Sequence, residues 1–285
     1  MISQQEFEQE LQLIIANGIR EDVGAGDYSS LACIPENAIG KAKLLVKDEG
    51  IIAGVAFAKM IFNYVDSTLK TEILIPDGNE VKYGDVVFTV SGSSQSILKA
   101  ERLVLNSMQR MSAIATKTNE FVQLLNGTNT KVLDTRKTTP NFRAAEKWAV
   151  TIGGGENHRF ALYDMIMLKD NHIDFAGGIS QAIIKTKSYL SQHNLDLKII
   201  VEARNLFEVA QILEHDSVFR ILLDNFNLED TKKAVALIGS KTKTESSGNI
   251  NENTIRDYAE CGVNYISSGA LTHSVYNMDL SLKAF

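Results

Sequence analysis

The chain has 285 residues, 29 Lys and Arg against 35 Asp and Glu, and a net charge of −6, with 44% hydrophobic and 22% charged residues. This balance excludes a disordered chain, and the acidic surplus excludes a general nucleic-acid binder, whose affinity rests on excess positive charge. With 3 prolines and 19 glycines it is neither collagenous nor dominated by linkers.

The front of the chain opens on a helix. Ser3 and Glu6 fit a capping box, and Phe7, Leu11, Ile14, Ile15 and Ile19 follow at helical spacing. Glu6, Glu8 and Glu10 stand where a signal peptide would be basic, so the start does not read as one. Gly24, Gly26 and Asp27 make a turn. The apolar run Ile51–Phe57 is far short of the about 20 residues a membrane helix needs. Short β-like runs at Lys43–Val46, Thr71–Ile75 and Val86–Val90 are separated by turn-forming residues such as Pro76-Asp77-Gly78. A long helix is expected from about Ile97 to Leu125, with Leu98, Leu105, Met108, Ala115 and Val122 as one buried stripe. Two cysteines, Cys33 and Cys261, form neither a disulfide framework nor a cysteine zinc site, and the expected home is the cytoplasm.

From Lys131 onward, strand-like and helix-like runs alternate. The strands are expected at Lys131–Asp134, Met165–Leu168, Lys198–Val201, Arg220–Leu223, Lys241–Thr244 and Tyr265–Ser267. Helices are expected between them, at Gly178–Leu190, Leu206–Glu214, Leu228–Ile238 and Glu252–Ala259. Alternating units of this kind imply a parallel sheet with right-handed crossovers. Without a Rossmann glycine pattern they favour a (β/α) barrel, complete or incomplete, over the doubly wound alternative. The expected architecture is an incomplete (β/α) barrel behind an N-terminal α+β sandwich domain, an α/β protein overall. Its divisions fall at 1–114, 115–270 and a closing segment 271–285 that returns to the front domain.

Each strand ends in polar residues: Thr135, Arg136 and Lys137; Lys169; Glu202; Asp224; Ser246, Ser247 and Gly248; Ser267, Ser268 and Gly269. One polar strand end is ordinary, but a parallel barrel gathers all of them on the face that holds the site. The early ends are cationic, and the loop Gly153–Arg159 adds His158 and Arg159. Concentrated cations in an acidic chain point to an anionic substrate. Glu202 and Asp224 suit sugar hydroxyls, a developing cation or a metal bridging to phosphate; pairing with the neighbouring cations is the plain structural alternative. Ser247-Gly248 and Ser268-Gly269 end the last two strands, where barrels commonly bind phosphate. The triple glycine Gly153–Gly155 follows a helical stretch, and no G-x-x-x-x-G-K-[ST] occurs, so a nucleotide P-loop is rejected.

Three blocks then carry a resemblance: Asp134–Pro140, Gly153–Phe160, and Tyr163–Met165 with Leu168–Ile173. With Glu21–Gly24, Glu101-Arg102, Leu223–Asn225 and Gly269–Ser274, all in the right order, the chain closely resembles the quinolinate phosphoribosyltransferase family along essentially its whole length. The resemblance implies conversion of quinolinate and phosphoribosyl pyrophosphate to nicotinate mononucleotide, pyrophosphate and carbon dioxide. It also implies Mg²⁺ as cofactor and a homodimer with shared sites, with a hexamer left open. Arg102 would come from the partner subunit, while Arg136, His158 and Arg159 would clamp the two carboxylates beside Thr135. Lys137 and Lys169 would meet the pyrophosphate and substrate anions, and Glu202 and Asp224 the ribose and its cationic transition state. Ser247, Gly248 and Asn249 with the Ser268, Gly269 and Ala270 backbone would cradle the 5′-phosphate.

The chain departs from the pattern at Ile200, where an acid is frequent, and at Asn249, where the phosphate cradle usually has glycine. Three rivals differ in chemistry. A molybdenum-locus relative of the same fold is disfavoured by the intact Asn157–Arg159 and Lys169–His172 blocks. A non-catalytic anion-binding barrel is disfavoured by Glu202 and Asp224. A Schiff-base aldolase would need Lys169 uncharged, which the surrounding acids and phosphates oppose.

Overall fold

The computed structural model describes residues 2–285. In chain order the front holds α1 (Gln4–Val23), α2 (Tyr28–Cys33), β1 (Ile39–Val46), β2 (Gly50–Ile51), α3 (Val55–Val65), β3 (Lys70–Ile73), β4 (Glu80–Val81), β5 (Val86–Ser93) and α4 (Ser94–Leu124). The back holds β6 (Lys131–Leu133), α5 (Arg143–Ile152), β7 (Ile166–Leu168), α6 (Asp170–Ala176), α7 (Ile179–Gln192), β8 (Ile199–Ala203), α8 (Leu206–Ile212), β9 (Val218–Asp224), α9 (Leu228–Ile238), β10 (Lys243–Ser247), α10 (Ile255–Glu260), β11 (Tyr265–Ser267), α11 (Ala270–His273) and β12 (Leu280–Ala284). The chain forms two compact units, one of residues 3–119, 137–154 and 271–285, the other of residues 120–136 and 155–270.

The first unit is built on an antiparallel sheet in the order β12-β1-β5-β3. The Ser3–Glu6 capping box starts α1 as expected, and Leu11, Ile14 and Ile15 are its buried face. Phe7 meets Trp148 of α5 edge-on, with ring centroids 5.7 Å apart. The buried side of α4 follows Ile97, Ala100, Val104, Met108, Met111 and Ala115, a clean three-and-four spacing. Leu98, expected in that stripe, is instead 42% exposed, because its neighbour Ile97 holds the inward position. Helix α3 went unexpected, since no local residue caps it. Its first N–H groups at Val55 and Ala56 are taken by the Asp77 carboxylate at 2.8 and 3.0 Å, from 22 and 21 residues away.

The second unit is a six-stranded sheet in the order β6-β11-β10-β9-β8-β7, with every ladder parallel. The strands β7 to β11 step one place at a time in one direction, and β6 lies beside β11 at the far end. An open doubly wound sheet would reverse direction at a switch point; this order is that of a barrel left open between β6 and β7. On the open side of β6 the chain passes once more: Glu156 bridges Leu133, and its N–H donates to the Val132 carbonyl at 2.8 Å. Met165, Ile200 and Leu222 form a buried apolar cluster, with Met167 and Phe219 packed against it.

Candidate active site

Side chains alternate along a strand, and parallel register decides which meet. On β8 Ile200 and Glu202 share a face, on β9 Arg220, Leu222 and Asp224, and on β10 Glu245 and Ser247. The ladders join Glu202 to Leu222, Leu222 to Glu245 and Asp224 to Ser247. The face is the one carrying the Met165–Ile200–Leu222 cluster. Its last positions are Glu202, Asp224 and Ser247, with Thr135, Lys169 and Gly269 just past the ends of β6, β7 and β11. The expected strand-end residues of this unit therefore do share one rim. Ile200, where an acid was noted as missing, lies one step below and is wholly buried with Met165 and Leu222. Glu202 stands at the rim without a second acid from its own strand.

The Lys169 ammonium lies 3.6 Å from the Glu202 carboxylate. Burial pushes the Glu202 pKa up; Lys169 opposes this, while Asp224 and Asp170 add to it. On β9, Asp224 accepts a hydrogen bond from the Asn225 side chain at 2.8 Å.

The cationic end is assembled by the passage beside β6. Asp134, fully buried, accepts the His158 N–H at 2.8 Å and so fixes the Asn157-His158-Arg159 turn next to Arg136. Asp164 closes the turn by accepting the Phe160 and Ala161 N–H groups, each at 2.8 Å. Arg159 is 7% exposed and donates to the Met165 carbonyl at 3.3 Å. Burial lowers its pKa, the charge of Arg136 lowers it further, and Asp164 opposes both. Arg136 carries its own buried Nε with no hydrogen-bond partner. A buried guanidinium and a partly buried one are thus held near each other, an arrangement that an anion relieves.

Beneath the rim lies a buried ionic group that the sequence reading missed. Glu245, wholly buried, accepts from Arg220 at 2.6 Å and lies 3.4 Å from His158 Nε2. Burial by itself would raise the Glu245 pKa; His158, Arg220 and a Ser267 hydrogen bond outweigh it and bring the value down to about 2. The signal in the sequence was a charged residue at an inward position of an otherwise apolar strand, Arg220 within Val218–Leu223.

The rim along β9, β10 and β11, next to β6 in the sheet, is built of turns. Strand β10 runs on through Ser247 instead of ending at Thr244, and Asn225 donates its N–H to the Ser247 carbonyl at 2.8 Å. Gly248 follows at φ +102°, where a Cβ would run into the Asn225 side-chain oxygen and come within 2.6 Å of its Cγ. Only glycine fits that approach. Asn249, at φ +52°, donates to Asn225 Oδ1 at 3.3 Å. The Ser268 N–H donates to the Leu133 carbonyl at 3.1 Å, which leads the chain through Gly269 and Ala270 into α11.

Two expected site residues belong to the first unit: Arg102, exposed on α4, and Lys137, exposed just after Arg136. Among the described residues no three His, Cys, Asp or Glu side chains gather as a metal site, and no helix is long and apolar enough to cross a membrane.

Residues 114–283 match the family described as Quinolinate phosphoribosyl transferase, C-terminal domain, and residues 27–112 match the N-terminal domain of the same name. The chloroplastic nicotinate-nucleotide pyrophosphorylase [carboxylating] of Arabidopsis thaliana is 44% identical over 289 residues, covering 96% of this chain and 82% of that protein. A probable nicotinate-nucleotide pyrophosphorylase [carboxylating] of Bacillus subtilis is 37% identical, covering 96% and 93%. Among solved structures, the nicotinate-nucleotide pyrophosphorylase of Francisella tularensis superposes with a TM-score of 0.89 at 37% identity, covering 97% of this chain and 96% of its own. NadC from Streptococcus pyogenes gives the same TM-score at 36% identity, covering 99% and 97%.

Proposed function

The chain belongs to the quinolinate phosphoribosyl transferase family, and from that premise we propose that it transfers phosphoribose from phosphoribosyl pyrophosphate to quinolinate with loss of carbon dioxide. The products are nicotinate mononucleotide, pyrophosphate and carbon dioxide, a step of NAD biosynthesis. The observation that carries the reading is the Arg136–Arg159 pair. Two crowded guanidinium groups, one lowered in pKa by burial and by the other, are completed by a small dianion with adjacent carboxylates. His158 and Thr135 flank them.

The pyridine nitrogen attacks ribose C1 and the pyrophosphate leaves, so positive charge grows on the sugar. Glu202 and Asp224 are the carboxylates at the rim that face this charge and accept the ribose hydroxyls. Lys137 and Lys169 take the pyrophosphate and substrate anions. Ser247, Gly248, Asn249 and the Ser268–Ala270 backbone hold the 5′-phosphate, a role supported by the glycine-only turn at Gly248, with φ +102°. Mg²⁺ uses few protein carboxylates when phosphates are at hand. Glu202 and Asp224 are the rim carboxylates that would hold Mg²⁺, which would supply charge neutralisation for the pyrophosphate. The assembly is a homodimer or a hexamer of such pairs, with Arg102 completing the neighbour's site. The free Cys33 and Cys261 thiols suit a reducing cytoplasm.

The test is direct. Incubated with quinolinate, phosphoribosyl pyrophosphate and Mg²⁺, the protein should yield nicotinate mononucleotide and carbon dioxide. Nicotinate lacks one carboxylate and leaves buried cationic donors unmet, so its kcat/KM should be about 100-fold lower or worse. Comparable values for the two acids would overturn the assignment.

A further inference from the structure

Immediately after Arg136, three consecutive residues are each held by side chains of the first unit. The Lys137 carbonyl accepts from the Thr272 hydroxyl at 2.8 Å. The Thr138 hydroxyl accepts from Arg143 Nε at 3.0 Å. Thr139 gives both its N–H, at 3.1 Å, and its hydroxyl, at 2.7 Å, to the Glu146 carboxylate. Glu146 is wholly buried and also accepts from Arg110 Nε at 2.9 Å. Arg110 in turn reaches the Thr272 carbonyl with Nη2, which closes the circle. The Lys137 side chain is exposed.

We propose that Arg110, Glu146 and Thr272 are positioning residues for Lys137: the ion pair of buried Glu146 with Arg110 and one threonine hydroxyl set the backbone from which that lysine reaches the pyrophosphate. The inference rests on the reading of Lys137 as a pyrophosphate-side cation. A flexible ammonium stem carries rotamer freedom of its own. Its aim is only as good as its Cα, and the bonds above fix that Cα from α4, α5 and α11. A carboxylate without exposure would be costly in a surface loop anchor of no consequence. Here both of its oxygens are spent on Thr139, two residues from Lys137.

Thr272→Val keeps the shape of the side chain and removes the hydroxyl that holds the Lys137 carbonyl. It should lower kcat/KM for phosphoribosyl pyrophosphate by about fivefold to tenfold, the scale of one hydrogen bond, with KM for quinolinate unchanged. Thr272→Ser should restore it. In a Lys137→Ala background the same Thr272→Val change should have no further effect. Wild-type kinetics in Thr272→Val would overturn the role, as would an equal loss toward both substrates or effects additive with Lys137→Ala. Should Thr272→Val not fold, Arg110→Lys carries the same cycle, because one ammonium cannot replace the guanidinium fork on Glu146 and the Thr272 carbonyl. A Lys137→Ala enzyme with wild-type constants would sink the assignment of Lys137 itself and this role with it.

Discussion

Glu202 meets two opposing influences at the barrel rim. Burial holds its carboxyl above the ordinary glutamate range, and the Lys169 ammonium at 3.6 Å draws it back. The form that stabilises a growing sugar cation is the ionised one, so turnover should fall as the pH drops through this raised pKa. The acid limb of kcat then lies higher than an unperturbed glutamate would place it. Lys169→Met removes the one cation favouring ionisation and should move the limb to still higher pH; a limb that stays put or moves down would count against Glu202 as the titrating group. Glu202→Gln and Asp224→Asn should keep the fold and calorimetric quinolinate binding while kcat falls by about 100-fold or more, the range for losing one preorganised electrostatic group. Glu202→Gln should be the more damaging, because Ile200 leaves β8 with no other acid. Near-normal turnover in Glu202→Gln would make the carboxylate structural.

At the scale of elements, β9 and β10 are joined by more than their ladder, since Arg220 and Glu245 form a buried pair with His158 beside it. The folded-state pKa of Glu245, about 2, lies below its unfolded value near 4.5. Its contribution to stability is therefore complete above the unfolded value and is lost as pH falls from there toward about 2. Glu245→Gln leaves Arg220 buried without its counter-ion and should cost about 3–5 kcal/mol at pH 7. Urea unfolding at pH 7 and again near pH 3 should show the gap to wild type narrowing; a constant gap would contradict the linkage. This network also marks how far the sequence can be read. The alternation of apolar strands and amphipathic helices exposed the barrel, and α9 at Leu228–Ile238 coincides with its expected span. The barrel then made Glu202, Asp224 and Ser247 neighbours. Pairing between Arg220 and Glu245, 25 residues apart, depends on strand register, which no local pattern carries. Polar β10 was placed too early for the same reason: Glu245 and Ser247 face a network and a site, so the strand lacks an apolar signature. Helix α3 was hidden by a cap supplied from Asp77.

At the scale of the whole molecule the question is whether one chain makes a complete site. Arg102 lies exposed on α4 of the first unit, whereas Arg136, His158, Arg159, Glu202 and Asp224 are all in the second. A guanidinium spent on a neighbour's substrate would be exposed in the single chain, and its loss would disable a site in another copy. Arg102→Ala and Arg136→Ala enzymes should each be inactive for that reason, the first through the partner's site and the second through its own. In a mixed dimer one barrel has its own Arg136 and receives Arg102 from the other subunit, so that site is whole; the second lacks both. Random reassociation of a symmetric dimer makes half the dimers mixed, with one whole site in each, so about a quarter of wild-type activity should return. The measurement is specific activity after joint unfolding and refolding of the two variants, with mixed dimers counted by native mass spectrometry. Activity proportional to the mixed fraction assigns Arg102 to the neighbour. Mixed dimers present without activity would mean that Arg102 serves its own chain or none, and the shared site would be withdrawn.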